Sequence, residues 1–260
     1  MSHRRALALL SFVSVLMASG AVPALAFVDT SSLRQQIKNI EGRLSPDGGL
    51  SNLVENLKTA AGEEAKNYLQ VTIDGSATTF WDVKLTDWFA SHFRALTELG
   101  VMGGYKDAAG SLTGKMGPAD NVTREQALKI ALGSAGTKTA SCQGTPASGK
   151  VSDWAKPFAV CAAQMNFGIK AGTDLTKPAT RAEVLHYLQR AFATDVPEGT
   201  PPFGDSKKHL YKNDIAYAYA LGIVSGDKNA DGSAKGTFRP DANVNRAEAA
   251  KMAQLAIELL

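Results

Sequence analysis

The chain has 260 residues, 44% of them hydrophobic, with 28 basic side chains against 25 acidic ones. So even a balance excludes the strongly basic surface that bulk nucleic-acid binding requires, and leaves any recognition of anions to local clusters. The four histidines, His3, His92, His186 and His209, have neither metal-ligand spacing nor a nucleophile nearby, so the sequence predicts neither an enzyme, nor a cofactor, nor a metal site.

Met1 to Ala26 carries Arg4 and Arg5, an apolar run from Ala6 to Met17, and Ala24-Leu25-Ala26 before Phe27. This is the layout of a secretory signal peptide cleaved after Ala26. An uncleaved anchor is the alternative, although so short a run does not comfortably cross a bilayer. Cleavage would leave 26 basic and 25 acidic residues, no transmembrane segment, and an exported protein.

From Asp29 to Tyr68, Leu33, Ile37, Ile40 and Leu44, and then Leu50, Leu53, Leu57 and Ala61, fall at helical spacing on either side of Ser45-Pro46-Asp47-Gly48-Gly49. The pattern predicts two amphipathic helices packed on the main body, or a short coiled stalk, followed by an extended linker over Val71–Thr79.

Three tetrads then recur: Thr123-Arg124-Glu125-Gln126, Thr180-Arg181-Ala182-Glu183 and Asn245-Arg246-Ala247-Glu248. Each places a Thr or Asn three residues before a Glu or Gln at the head of an Ala/Leu-rich run, the capping-box signature of a helix start. The Arg stands at the positive end of the helix dipole, a position that makes sense if helix end and guanidinium both face an anion.

Aligning on the tetrads exposes a longer unit. Its first copy has Phe80-Trp81-Asp82-Val83, Trp88, Gly100 to Gly104 and Pro118. The second has Val151-Ser152-Asp153-Trp154, Gly168 to Gly172 and Pro178, and the third has Phe203-Gly204-Asp205, Gly222 to Gly226 and Phe238-Arg239-Pro240. Leu210 and Tyr211 replace the third Trp. In the second copy the Trp-to-Gly distance is lengthened, and Pro178 is only two residues from its Thr.

In this order these motifs resemble the S-layer homology family. The resemblance implies an all-α fold of three tandem helix-loop-helix repeats, pseudo-threefold around a central three-helix bundle, with an N-terminal helical arm. The expected divisions are 1–26 signal peptide, 27–78 arm and linker, 79–136, 137–195 and 196–260 repeats. It also implies grooves between repeats that bind an acidic cell-wall glycan or peptidoglycan-linked polymer, in many members pyruvylated, and so a non-catalytic protein at the bacterial cell surface. The alternative is a structural protein whose repeats self-associate or bind protein partners, with the Arg residues in internal salt bridges.

The expected glycan-binding residues are Arg124, Arg181 and Arg246, with Asp82, Asp153 and Asp205, Trp88 and Trp154, and Gly104, Gly172 and Gly226. Structural readings stay open for the Asp residues, which could cap the first helix of each unit or bond the Arg. They stay open too for the Trp residues, as core, and the Gly residues, as helix stops. Arg124 and Arg181 are expected to matter more than Arg246, with little effect on fold stability.

Cys142 and Cys161, an even count in a chain that reads as exported, predict a disulfide. Asp227 to Gly232 matches half of a calcium loop, but position twelve is Phe238, so a polar turn is the better reading.

Overall fold

The computed structural model describes residues 62–146 and 149–260. The expected signal peptide and most of the N-terminal arm lie outside the described residues. The chain divides into two compact bodies, Met1–Tyr68 and Leu69–Leu260. Of the first, the described part is a short helical stretch at 62–65 with a Lys66–Glu63 ion pair.

The all-α expectation is overturned where the second body begins. Strands β1 (Tyr68–Ile73) and β2 (Ser76–Lys84) form a two-stranded antiparallel sheet. Asp74 and Gly75 both take positive φ, 50° and 78°, the backbone of the tight turn whose twist matches a hairpin. The segment read as a linker is held because Leu69 and Val71, then Phe80 and Val83, turn inward and are buried.

Six helices follow: α1 (Ala90–Glu98), α2 (Arg124–Ser134), α3 (Lys156–Gln164), α4 (Arg181–Ala191), α5 (Lys212–Ala220) and α6 (Arg246–Leu259). A 3-10 turn, Asp153–Ala155, leads into α3. Helices α2, α4 and α6 each begin with a complete capping box, in which the Thr or Asn side chain accepts the N3 amide and the N3 side chain accepts the cap amide. Such a cap contributes about 1 kcal/mol. Their facing sides are small, with Ala127, Ala131, Ala182, Ala249, Ala250 and Ala253 buried, so the three helices approach one another closely.

One closed ring of backbone bonds ties the three starts together. Val122 donates to Val244 (3.0 Å), Val244 to Ala179 (3.1 Å) and Ala179 to Val122 (2.8 Å). Each of these residues directly precedes a cap and is completely buried, so the units are related cyclically and not merely in series. Around the ring, α1 packs on α6, α3 on α2 and α5 on α4.

The outer helices also end alike. Val101 donates to Leu96, Phe167 to Ala162 and Ile223 to Ala218, each 2.9 Å, across a left-handed residue. That residue is Gly100 in the first unit, Gly222 in the third and Asn166, at φ 54°, in the second. Asn tolerates this conformation better than most residues. The second unit is therefore not lengthened between Trp154 and its helix end. Its Gly168 is simply not the counterpart of Gly100, and Gly172 lies six residues past the left-handed position where Gly104 and Gly226 lie four past it.

Pro178 is displaced in the same way. It bridges Thr123 as Asn243 bridges Thr180, while the backbone carbonyl of Leu175 receives the Glu125 amide as those of Pro118 and Pro240 receive Ala247 and Ala182.

Cys142 and Cys161 are disulfide-bonded, closing a sequence separation of 19 residues, as expected. No helix among the described residues is long and apolar enough to cross a membrane.

Candidate functional site

The tetrad helices do not offer bare N-termini. At α2 the amides of Arg124 and Glu125 donate to Lys177 and Leu175, each 2.9 Å; at α4 those of Arg181 and Ala182 donate to Ala242 and Pro240, 2.9 and 3.1 Å. At α6 those of Arg246 and Ala247 donate to Asp120 and Pro118, again 2.9 and 3.1 Å. Since the third amide of each helix is bonded to its cap, the first-turn donors are used within the protein, and contact with an anion falls to the side chains.

Each guanidinium reaches into the next unit around the ring. Arg124 donates through Nε to Glu183 at 2.8 Å, and Arg181 through Nη1 to Glu248 at 3.0 Å and through Nε to the Phe238 carbonyl at 3.0 Å. Arg246 follows the same path, but the N3 residue ahead of it is Gln126. Its Nε donates to the Met116 carbonyl at 2.7 Å and its Nη2 to the Gly103 carbonyl at 2.9 Å, with the group 5.0 Å over the Tyr105 ring. Burial lowers the pKa of Arg181 and Arg246 from the ordinary value. For Arg124 burial is outweighed by the hydrogen bond and charge of Glu183, and its pKa rises. All three therefore have structural partners, so substitutions should also change stability.

A groove of about 570 Å3 joins all three units. Trp88 comes from the first, Arg181 from the second, and Gly226, Asp227, Lys228, Arg239, Glu248, Lys251 and Met252 from the third. Trp88 is 57% exposed and meets Phe89 and His92 edge-on, which places it as an open wall and not as core. Trp154, on its 3-10 turn, is 48% exposed but lies outside this groove. Within the groove lining Arg239 forks onto Asp227, with N–O distances of 3.0 to 3.1 Å.

The Asp residues divide. Asp82 accepts the amides of Met116 and Gly117 at 2.8 and 2.7 Å, and Asp205 those of Phe238 and Arg239 at 3.1 and 2.8 Å. Both clamp the loop that leads into the tetrad, and neither caps an outer helix nor bonds a tetrad Arg. Asp153 is exposed and pairs with Lys156. Gly104 and Gly226 are required by close approach, since a Cβ on either would stand 2.4 Å from Cε1 of Phe80 or Phe203. Gly172 meets no such neighbour.

At the equivalent position between the second and third units, Tyr211 stacks on His186 with centroids 4.4 Å apart. His186 is in turn bonded to Asp214 and to the Phe167 carbonyl, each at 3.0 Å. Leu210, in place of a Trp, is exposed.

Sequence reasoning missed a second set of basic residues. Lys129, His186 and Lys251 each stand five residues after a tetrad Arg, and Lys106 and Lys228 each stand two after Gly104 and Gly226. Carrying the tetrad alignment one and a half turns further would have found the first set. The half calcium loop is a hairpin in which Asp227 is held by Arg239 and Thr237, and Asp231 by Ser233; among the described residues no cluster is suited to a metal ion.

Among curated proteins the chain is similar to an endoglucanase of Bacillus sp. (strain KSM-635), 31% identical over 143 residues. That stretch is 54% of this chain but only 14% of the endoglucanase. Residues 79–128 and 202–250 match the S-layer homology domain. These two segments hold the first and third tetrads and the lining of the 570 Å3 groove, apart from Arg181, Lys251 and Met252, and the chain therefore carries S-layer homology domain sequence at these two places.

Proposed function

We propose that this is a non-catalytic envelope protein that holds to an acidic glycan of the cell wall through positions between its repeats. The groove carries the reading. An exposed indole forms one wall, a flat surface suited to a sugar ring. Arg181, Lys228, Arg239 and Lys251 outnumber Asp227 and Glu248, so the lining favours an anionic polymer. The S-layer homology matches agree with it. The similarity to a small part of an endoglucanase fits a shared accessory module better than a shared catalytic domain.

On this reading residues 137–195 are a third, diverged copy. The complete capping box, the Asn166 helix end and the place of Ala179 in the backbone ring support this. Export through the Met1–Ala26 leader and residence at the cell surface complete the proposal. The second reading, a structural protein whose repeats bind one another or other proteins, is favoured by the internal Arg124–Glu183 and Arg181–Glu248 pairs.

Co-sedimentation with wall sacculi of the producing bacterium, before and after extraction of their secondary polymers, separates the two. Binding that disappears with the polymers is expected. Binding that survives extraction unchanged, or none at all, would refute the glycan reading.

A further inference from the structure

Comparing the equivalent positions around the ring shows that they are not electrostatically alike. In the groove beside Trp88, Arg181 faces the Glu248 carboxylate and Arg239 is forked onto Asp227, which leaves Lys228 and Lys251 as unneutralised cations. One step around, both lysines have counterparts, Lys106 and Lys129. Glu248 is replaced by Gln126, Asp227 by Tyr105, and Arg239 by Gly117.

Among the described residues no carboxylate pairs with Arg246. The nearest, Asp120 and Asp82, are turned elsewhere: Asp120 accepts the Tyr105 hydroxyl at 2.9 Å, and Asp82 the amides of Met116 and Gly117. Arg246 is only 7% exposed, and its Nη1 makes no hydrogen bond among the described residues. Lys129 makes none either. Lys129 is an exposed residue, yet partial desolvation, then repulsion from Arg246 and Lys106, lowers its pKa. The 3-10 turn bearing the exposed Trp154 packs on α2, as α1 beside Trp88 packs on α6.

We propose that the position formed by Arg246, Lys129 and Lys106, between the first and second units, is the principal binding site for the anionic substituent of the polymer, a carboxylate or phosphate group. The inference rests on the glycan reading above and sharpens it. It also reverses the expected order of the Arg residues. Among the described residues Arg124 and Arg181 each keep a free Nη2, but the carboxylate already paired with them offsets their charge, whereas Arg246 presents its remaining donor with its full charge. The third position offers least, because Glu183 pairs Arg124 and Tyr211 covers His186.

Gln126→Glu tests this cleanly. It supplies the carboxylate found ahead of the other two Arg residues and keeps the capping box, since Glu occupies N3 in α4 and α6. Tyr105→Asp is the second variant, placing a carboxylate where Asp227 stands in the other groove. Affinity for sacculi that retain their secondary polymers is measured alongside the melting temperature, and the two source groups are distinguished by removing either carboxyl or phosphate from the sacculi. Each variant should melt within a few degrees of wild type and lose about tenfold or more in affinity, as expected when a charge-assisted contact is removed. A smaller loss in either folded variant would overturn the inference while leaving the glycan reading intact. Failure of the wild type to bind polymer would overturn both.

Discussion

Arg246→Ala should destabilise the protein measurably, although the cap of α6 stays in place. The side chain is buried and donates two charged hydrogen bonds across a unit boundary, to Met116 at 2.7 Å and Gly103 at 2.9 Å. Hydrogen bonds to charged groups are worth about 1.5–3 kcal/mol each, and part of that is returned because the variant no longer buries a charge. The net loss is then about 2–4 kcal/mol. At about 2–4 °C per kcal/mol for a unit of this size, the melting temperature should fall by roughly 5–15 °C. Arg246→Lys should recover little, because an ammonium on a straight stem cannot reach both carbonyls with the fork that Nε and Nη2 provide. Thermal unfolding followed by circular dichroism decides the matter. A shift below about 2 °C for Arg246→Ala would mean that the two contacts do not hold the units together, and the reasoning would fail.

Replacing both cysteines by Ala should cost about 3 kcal/mol in the chain-entropy account, a fall of roughly 6–12 °C; calorimetry showing no fall would contradict it. Trp88→Ala should weaken polymer binding about three- to tenfold with little change in melting, since the indole is mostly exposed, and titration calorimetry showing full affinity would remove Trp88 from the site. The Arg239 fork, against some opposition from burial and with help from Thr237, holds the Asp227 carboxyl below its usual range. Because the folded value lies below the unfolded one of about 3.9, its stabilising effect is present above that pH and is lost as pH falls through the folded value. Asp227→Asn should therefore lower the melting temperature at pH 7, with the gap to wild type closing in acid; a gap independent of pH would contradict this.

Helix starts were the most legible feature, because a capping box is local: the cap, the N3 residue and the first turn are all within four residues of sequence. The disulfide was legible from the cysteine count. The hairpin was also written in the sequence, in Asp74-Gly75 between alternating apolar residues, but the repeat pattern drew attention to helices and left that signal unread. The roles of Asp82, Asp205 and the three Arg residues were not legible, because their partners lie 33 to 143 positions away and only the ring closure brings them together. Gly172 was misplaced because motif spacing assumed a glycine at the helix end, where Asn166 serves instead.

Titration calorimetry with solubilised acidic wall polymer tests the central claim most directly, comparing intact polymer with the same polymer after its carboxyl and phosphate groups have been removed or neutralised. Saturable binding of the intact polymer, weakened by salt and abolished by neutralisation, is the result the account predicts. Equal binding of the neutral polymer, or none of either, would contradict it.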